Sequence, residues 1–230
     1  MSRISAYLRT VPAFAAAKEI GYRWDDWAYT DYFYHDKPEL LGVYSQLTGL
    51  GNRALCIALG EWIGQRLTAA PKYGVARDFF DAAWATMIRS DSCDYAELPQ
   101  PDWAGILDGP LRAAMLIVND AIFDAEEDFA FAERSCWSVN LARHILDESD
   151  RAPFEEWLAS STHRLLYAHS GPMFGYRSIF DRRFSFGDPV GPGVFILAET
   201  YDPAGAIEDI SKLVNQQIGR NQYLRLASPL

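Results

Sequence analysis

The chain is poor in most residues that carry chemistry. Its three cysteines, Cys56, Cys93 and Cys136, have no short spacing, which argues against a disulfide framework or a zinc site and suits a reducing cytoplasm. None of its four histidines has a metal-ligand spacing with another His, Cys or Glu. There is no nucleophile elbow, no phosphate-binding glycine loop and no dinucleotide fingerprint. Cys93 lies in a polar stretch and is expected to be the most exposed cysteine. Asp91 and Asp94 beside it would raise its thiol pKa, the wrong direction for a nucleophile. No catalytic residue, cofactor or metal is expected, and the balance leans against an enzyme.

Two further absences narrow the class. No apolar run reaches eighteen residues, so no membrane span is expected. The first twenty residues carry Arg and Lys through an amphipathic pattern and do not read as a signal peptide. A basic excess is also missing: the net charge is -10. The deficit sits in residues 91–150, which hold 14 acids and 3 bases. Nucleic-acid binding needs the opposite sign over its contact face, whereas a cationic protein partner suits this one.

What is present is helical periodicity in an ordinary globular balance, 49% hydrophobic and 23% charged. The expected architecture is all-α: one domain over 1–230, a bundle of about seven or eight helices. It divides into N-terminal helices (1–91), a proline-rich linker (92–109), central helices (110–170), a long Gly/Pro-rich loop (171–202) and a C-terminal helix (203–220). Ile4, Tyr7, Leu8, Val11, Phe14 and Ala15 share a helical face. Asp36 and Glu39 have capping-box spacing around Pro38, with Gly49 and Gly51 read as the stop. Asn52 then opens a helix whose apolar face is Leu55, Leu59, Trp62, Ile63 and Leu67 and whose polar side is Glu61, Gln65 and Arg66. Gly60 and Gly64, four apart, predict the close approach of another helix. Arg77 to Arg89 reads as the next helix.

Leu111, Met115, Val118 and Ile122 form the clearest stripe, with a break expected at Asp124–Glu127. Pro153 reads as a helix start, and Asp202–Pro203 as the cap of the last helix, with Ile207, Ile210, Val214 and Ile218 inward. Residues 193–199 could form one short strand without an evident partner.

Three constellations stand out. Residues 22–36, YRWDDWAYTDYFYHD, crowd aromatic rings beside carboxylates. Packing across a bundle end, with the acids keeping the edge soluble, is the leading account of that segment. Tyr and Trp also suit interfaces, each having an apolar body and a polar edge. Asp120, Asp124 and Asp128, with Glu127, would form an acidic ridge on a continuous helix. Arg177, Arg182 and Arg183 among phenylalanines make the only locally basic loop, a candidate anion site.

The leading functional expectation is a cytoplasmic, non-enzymatic protein that engages a cationic protein partner through an acidic, aromatic-bordered face. The residues are Trp24, Asp25, Asp26, Trp27, Asp31, Asp120, Asp124, Glu127 and Asp128. A bacterial immunity protein that inhibits a basic toxin domain fits this physics by analogy. The alternatives are a small enzyme or small-molecule-binding protein with its pocket under residues 171–203, or an oligomeric scaffold.

Overall fold

A computed structural model of the chain describes residues 6–9, 11, 13, 20–35, 37–123, 128–171 and 186–226. The fold is all-α. Among the described residues seven α-helices form: α1 (Pro38–Tyr44), α2 (Gly49–Arg66), α3 (Tyr73–Ala83), α4 (Asp108–Phe123), α5 (Asp128–His144), α6 (Glu148–His169) and α7 (Ala206–Asn215). Short 3-10 turns join them. Extended pairing among these residues is limited to two isolated bridges, Leu47 with Ser170 and Cys93 with Leu224.

Helix α2 is the axis of the bundle. It packs on α4 and α5, which pack on each other, and α3 covers α2 and α4. Its expected polar side is not solvated: Glu61 and Arg66 are buried, as are Asn52 and Arg53. Each has protein partners, as a buried polar group must unless it is to cost about 1–3 kcal/mol. Asn52 Nδ2 donates to the Tyr44 carbonyl at 3.0 Å, and its Oδ1 accepts from Ser135 Oγ at 2.7 Å. Arg53 donates to the carbonyls of Ala121 and Thr86 at 3.1 and 3.2 Å, joining the end of α4 to the 3-10 turn after α3. Glu61 accepts from Tyr7 Oη. Arg66 pairs with Asp147 and Asp150 at 2.7 and 2.6 Å, holding the start of α6 against the end of α2.

Several expected boundaries shift. Gly49 and Gly51 lie inside α2, because Thr48 is its cap: Thr48 Oγ1 accepts from the Gly51 N–H at 3.1 Å. Gly51 lies where a side chain would crowd its neighbours: a Cβ there would meet Thr48 and His169. Helix α1 begins at Pro38 after Lys37, with no side-chain cap bond, and Asp36 lies outside the described residues. Helix α3 starts at Tyr73, four residues before the expected Arg77, and its last turn tightens to 3-10 over Trp84–Met87. Helix α6 starts at Glu148, five residues before Pro153. Of the N-terminal stretch, Ala6–Leu8 forms a 3-10 turn that buries Tyr7 and Leu8.

Residues 92–109 are built into the core and do not act as a free linker. Cys93, Ala96, Leu98 and Trp103 are buried, so Cys93 is not the exposed thiol expected. Asn119 of α4 clamps Ala96 from both sides, donating to its carbonyl at 2.9 Å and accepting from its N–H at 3.2 Å. Arg112 donates to the Leu98 carbonyl at 2.8 Å. These side chains supply the hydrogen bonds that a helix would otherwise provide.

The strand at 193–199 does not form. Pro192–Phe195 is a 3-10 turn. The carbonyls that a strand would offer a neighbour go to one guanidinium: Arg164 of α6 donates to Ile196, Leu197 and Glu199 at 2.8, 2.9 and 2.9 Å. Helix α7 starts at Ala206 rather than at Pro203, because Asp202 caps a separate 3-10 turn, Pro203–Gly205, by accepting from the Ala204 N–H at 3.0 Å. Ile210 and Val214 are buried, while Ile207 faces solvent and Ala206 takes its place.

Candidate functional site

The aromatic–acidic segment lies across the start of α4 and the end of α5, and it is fixed from several directions. Tyr22 Oη donates to the Ile106 carbonyl at 2.5 Å. Asn140 of α5 donates to the carbonyls of Phe33 and His35 at 3.1 and 2.8 Å. Between these anchors Trp24 is half-buried, stacked on Tyr32 with ring centroids 5.1 Å apart. His144 stacks on the other side of this cluster, 4.3 Å from the Tyr32 ring, and its Nε2 bonds the Arg23 carbonyl at 2.7 Å. Burial lowers its pKa, so it serves as a neutral packing ring.

The acids of this segment divide by role. Both carboxylate oxygens of Asp26 are occupied, Oδ1 by Trp24 Nε1 at 2.9 Å and Oδ2 by the Gly105 N–H at 2.8 Å. Its carbonyl accepts from Gln100 at 2.6 Å. Asp25 Oδ1 accepts from the Trp27 N–H at 2.9 Å, an Asx-type turn that sets the direction of the chain at Trp27. Trp27 itself stands 89% exposed, between the exposed Asp25 and Asp31. Tyr34, 60% exposed, packs at a tilt on buried Trp137, ring centroids 4.3 Å apart. The segment thus has a packed inner side and a rigid outer edge carrying an indole and two carboxylates.

Of the other half of the expected face, only Asp120 falls among residues whose side chains are described. Asp120 lies near the far end of α4, about 16 Å along the helix from Gly109, against which Trp24 packs. Asp124 and Glu127 lie outside the described residues, as does the Asp128 side chain. Among the described acids of 91–150, several are held by separate partners. Asp94 pairs with Arg225, Asp147 and Asp150 with Arg66, and Asp108 accepts from the Lys72 N–H at 3.0 Å. Arg177, Arg182 and Arg183 lie outside the described residues.

Two concavities among the described residues bear on binding. One, about 510 Å³, lies between α6 and residues 197–203, with Tyr167 on its rim 88% exposed. The arginine in its wall, Arg164, is committed to backbone carbonyls. His169 behind it bonds Tyr201 Oη at 2.7 Å. The other, about 770 Å³, opens between α3 and the turn after α7, and includes Asp78, Asp81, Gln217, Arg220 and Asn221. Asn221 and Asp78 are 143 positions apart in sequence yet hydrogen-bonded, so no local motif could announce this cleft.

Burial pushes the Cys56 thiol up to about 11 and Cys93 up to about 12. Among the described residues no three His, Cys, Asp or Glu side chains are grouped to hold a metal. No described helix is long and apolar enough to cross a membrane. Comparison of the chain with protein-family models, with curated proteins and with solved structures finds no match.

Proposed function

We propose that the chain binds another protein, of cationic character, through the bundle end formed by residues 24–34, with Trp27 as the anchor. The observation that carries this reading is the Trp27 indole, 89% exposed on a backbone pinned by the Asp25 turn and by the internal bonds of Asp26. A pinned segment loses little conformational freedom on docking, and fully burying a large apolar side chain contributes about 1.5–3 kcal/mol. Trp is also the residue type most often found to dominate interface energetics. Asp25 and Asp31, exposed on either side, supply the electrostatic complement to a basic surface.

Inhibition of a basic toxin domain is the narrower form of this reading, supported by the net charge of -10. We place its action in the cytoplasm, since all three cysteines are free and buried. The test is capture of partners from the producing cell by a photo-crosslinker at position 27, followed by titration of each recovered protein with wild type and Trp27→Ala. The proposal expects a basic partner whose affinity drops sharply in the variant. Partners that bind both proteins equally would remove it.

A further inference from the structure

The cleft between α3 and the turn after α7 joins two segments far apart in sequence. Its wall is organised by a relay of amides. Asn221, buried, donates to the Asp78 carbonyl at 2.6 Å and to Gln217 Oε1 at 2.8 Å. With its oxygen so engaged, Gln217 turns its amide nitrogen toward Asp81 and donates to that carboxylate. Asn221 Oδ1 in turn accepts from the Tyr223 N–H at 2.9 Å, which fixes the orientation of the whole relay.

The charges in this wall are unevenly matched. Arg77 and Asp78 pair at 3.0 Å. Asp81 forms no ion pair among the described residues, though it sits near Arg77 and is largely withdrawn from water. Arg220, exposed and lining the same cavity, likewise has no ion pair among the described residues. One carboxylate and one guanidinium therefore face a common cavity without being matched to each other. Leu213 and Ile218 give the same cavity an apolar flank. Its volume, about 770 Å³, falls in the range of small-molecule sites, about 300–1,000 Å³.

We propose that this cleft binds a small zwitterion of the α-amino-acid class, with Asp81 receiving the ammonium, Arg220 the carboxylate, and the Leu213–Ile218 flank the side chain. The ammonium supplies the direct ion pair that Asp81 does not make among the described residues, and the guanidinium fork of Arg220 matches a carboxylate in two hydrogen bonds. A bare metal ion fits less well, since no third ligand of metal-binding type joins Asp78 and Asp81. This inference stands apart from the partner-binding end, and either can fail without the other.

The experiment is a thermal-shift screen of the full-length protein against the standard L-amino acids, followed by calorimetric titration of those that bind. Their N-acetyl and carboxamide derivatives are titrated beside them. The expected result is at least one free amino acid that binds with Kd below about 1 mM. Blocking either terminus should weaken it roughly tenfold or more, the scale of one charge-assisted contact. Asp81→Asn should abolish the preference for a free ammonium, and Arg220→Gln the preference for a free carboxylate. Arg220 is exposed, so its variant tests the assignment even if Asp81→Asn impairs folding. Absence of binding by every amino acid, equal binding of the blocked forms, or wild-type binding by Arg220→Gln would each overturn the proposal.

Discussion

Gly109 and Trp24 are in contact so close that a Cβ on Gly109 would lie 2.0 Å from Trp24 Nε1. The first turn of α4 is therefore a seat for the indole that anchors the aromatic segment. Gly109→Ala must push Trp24 out of its stack with Tyr32 and off Asp26. Overpacking of this kind costs about 1–3 kcal/mol. Denaturant unfolding should show that loss, with the helical circular dichroism unchanged. A variant as stable as wild type would mean that the ring can swing away freely, and the rigid presentation of Trp27 would lose its basis.

A second close approach tests the helix crossing. A Cβ on Gly60 would lie 2.6 Å from Phe80 Cε1, and Phe80 is fully buried. Even Gly60→Ala should therefore destabilise, despite alanine's better helix propensity, and Gly60→Leu should do so more severely. Phe80→Leu should partly rescue Gly60→Ala in a double-mutant cycle. Additive losses would show that the two positions do not share the space.

The pH dependence of stability has a worked sign. Burial raises the Asp81 carboxyl to about 6, and raises Glu61, fully buried on α2, well above the usual carboxylate range. A raised folded pKa means that the folded state holds the proton more tightly than the unfolded one. The associated stability is present below the unfolded value, about 4, and is lost as pH rises through about 6. Asp81→Asn keeps a neutral group there at all pH values. It should stabilise the protein at about pH 7.5, by on the order of 1–2 kcal/mol, and give no gain at about pH 4. Denaturant midpoints at the two pH values check this. An equal effect at both would mean that Asp81 does not titrate differently on folding.

How far these features could be read from sequence depends on burial. The stripe of α4 was legible because only part of that helix faces the core: Leu111, Met115, Val118 and Ile122 are all buried, at the period expected. Helix α2 was misread because it is surrounded. Burial on every side erases the period, and Glu61 and Arg66 look like part of a solvated face until their distant partners, Tyr7 for one and Asp147 and Asp150 for the other, are known. Residues 92–109 failed for a related reason, since long-range side chains such as Asn119 supply their hydrogen bonds. At the aromatic end, composition marked the segment but could not separate Asp26, spent on internal bonds, from Asp25, beside an exposed indole. The Asp81 cleft left no local trace, because its walls come from positions 143 apart.

Arg66 offers a test of the axis itself. It is buried and shared by Asp147 and Asp150, so Arg66→Met leaves both carboxylates without their cation at the foot of α6. Breaking one side of a buried pair typically costs about 3–5 kcal/mol, and the partial exposure of the two acids moderates it here. Restoring Asp147 and Asp150 to neutrality as asparagines in the same protein should recover part of the loss. A wild-type melting temperature for Arg66→Met would show that α6 does not depend on this junction.

The affinity of a captured partner for Trp27→Ala, compared with wild type and repeated as salt is raised, bears most directly on the central claim. An anchor of this kind should cost at least about 2 kcal/mol, roughly thirtyfold in Kd, while the fold is unchanged. Association should also slow as ionic strength rises, because Asp25 and Asp31 act over distances that salt screens within about 10 Å at 0.1 M. Equal Kd values for wild type and Trp27→Ala, with a salt-independent association rate, would contradict the assignment of this end as the binding surface.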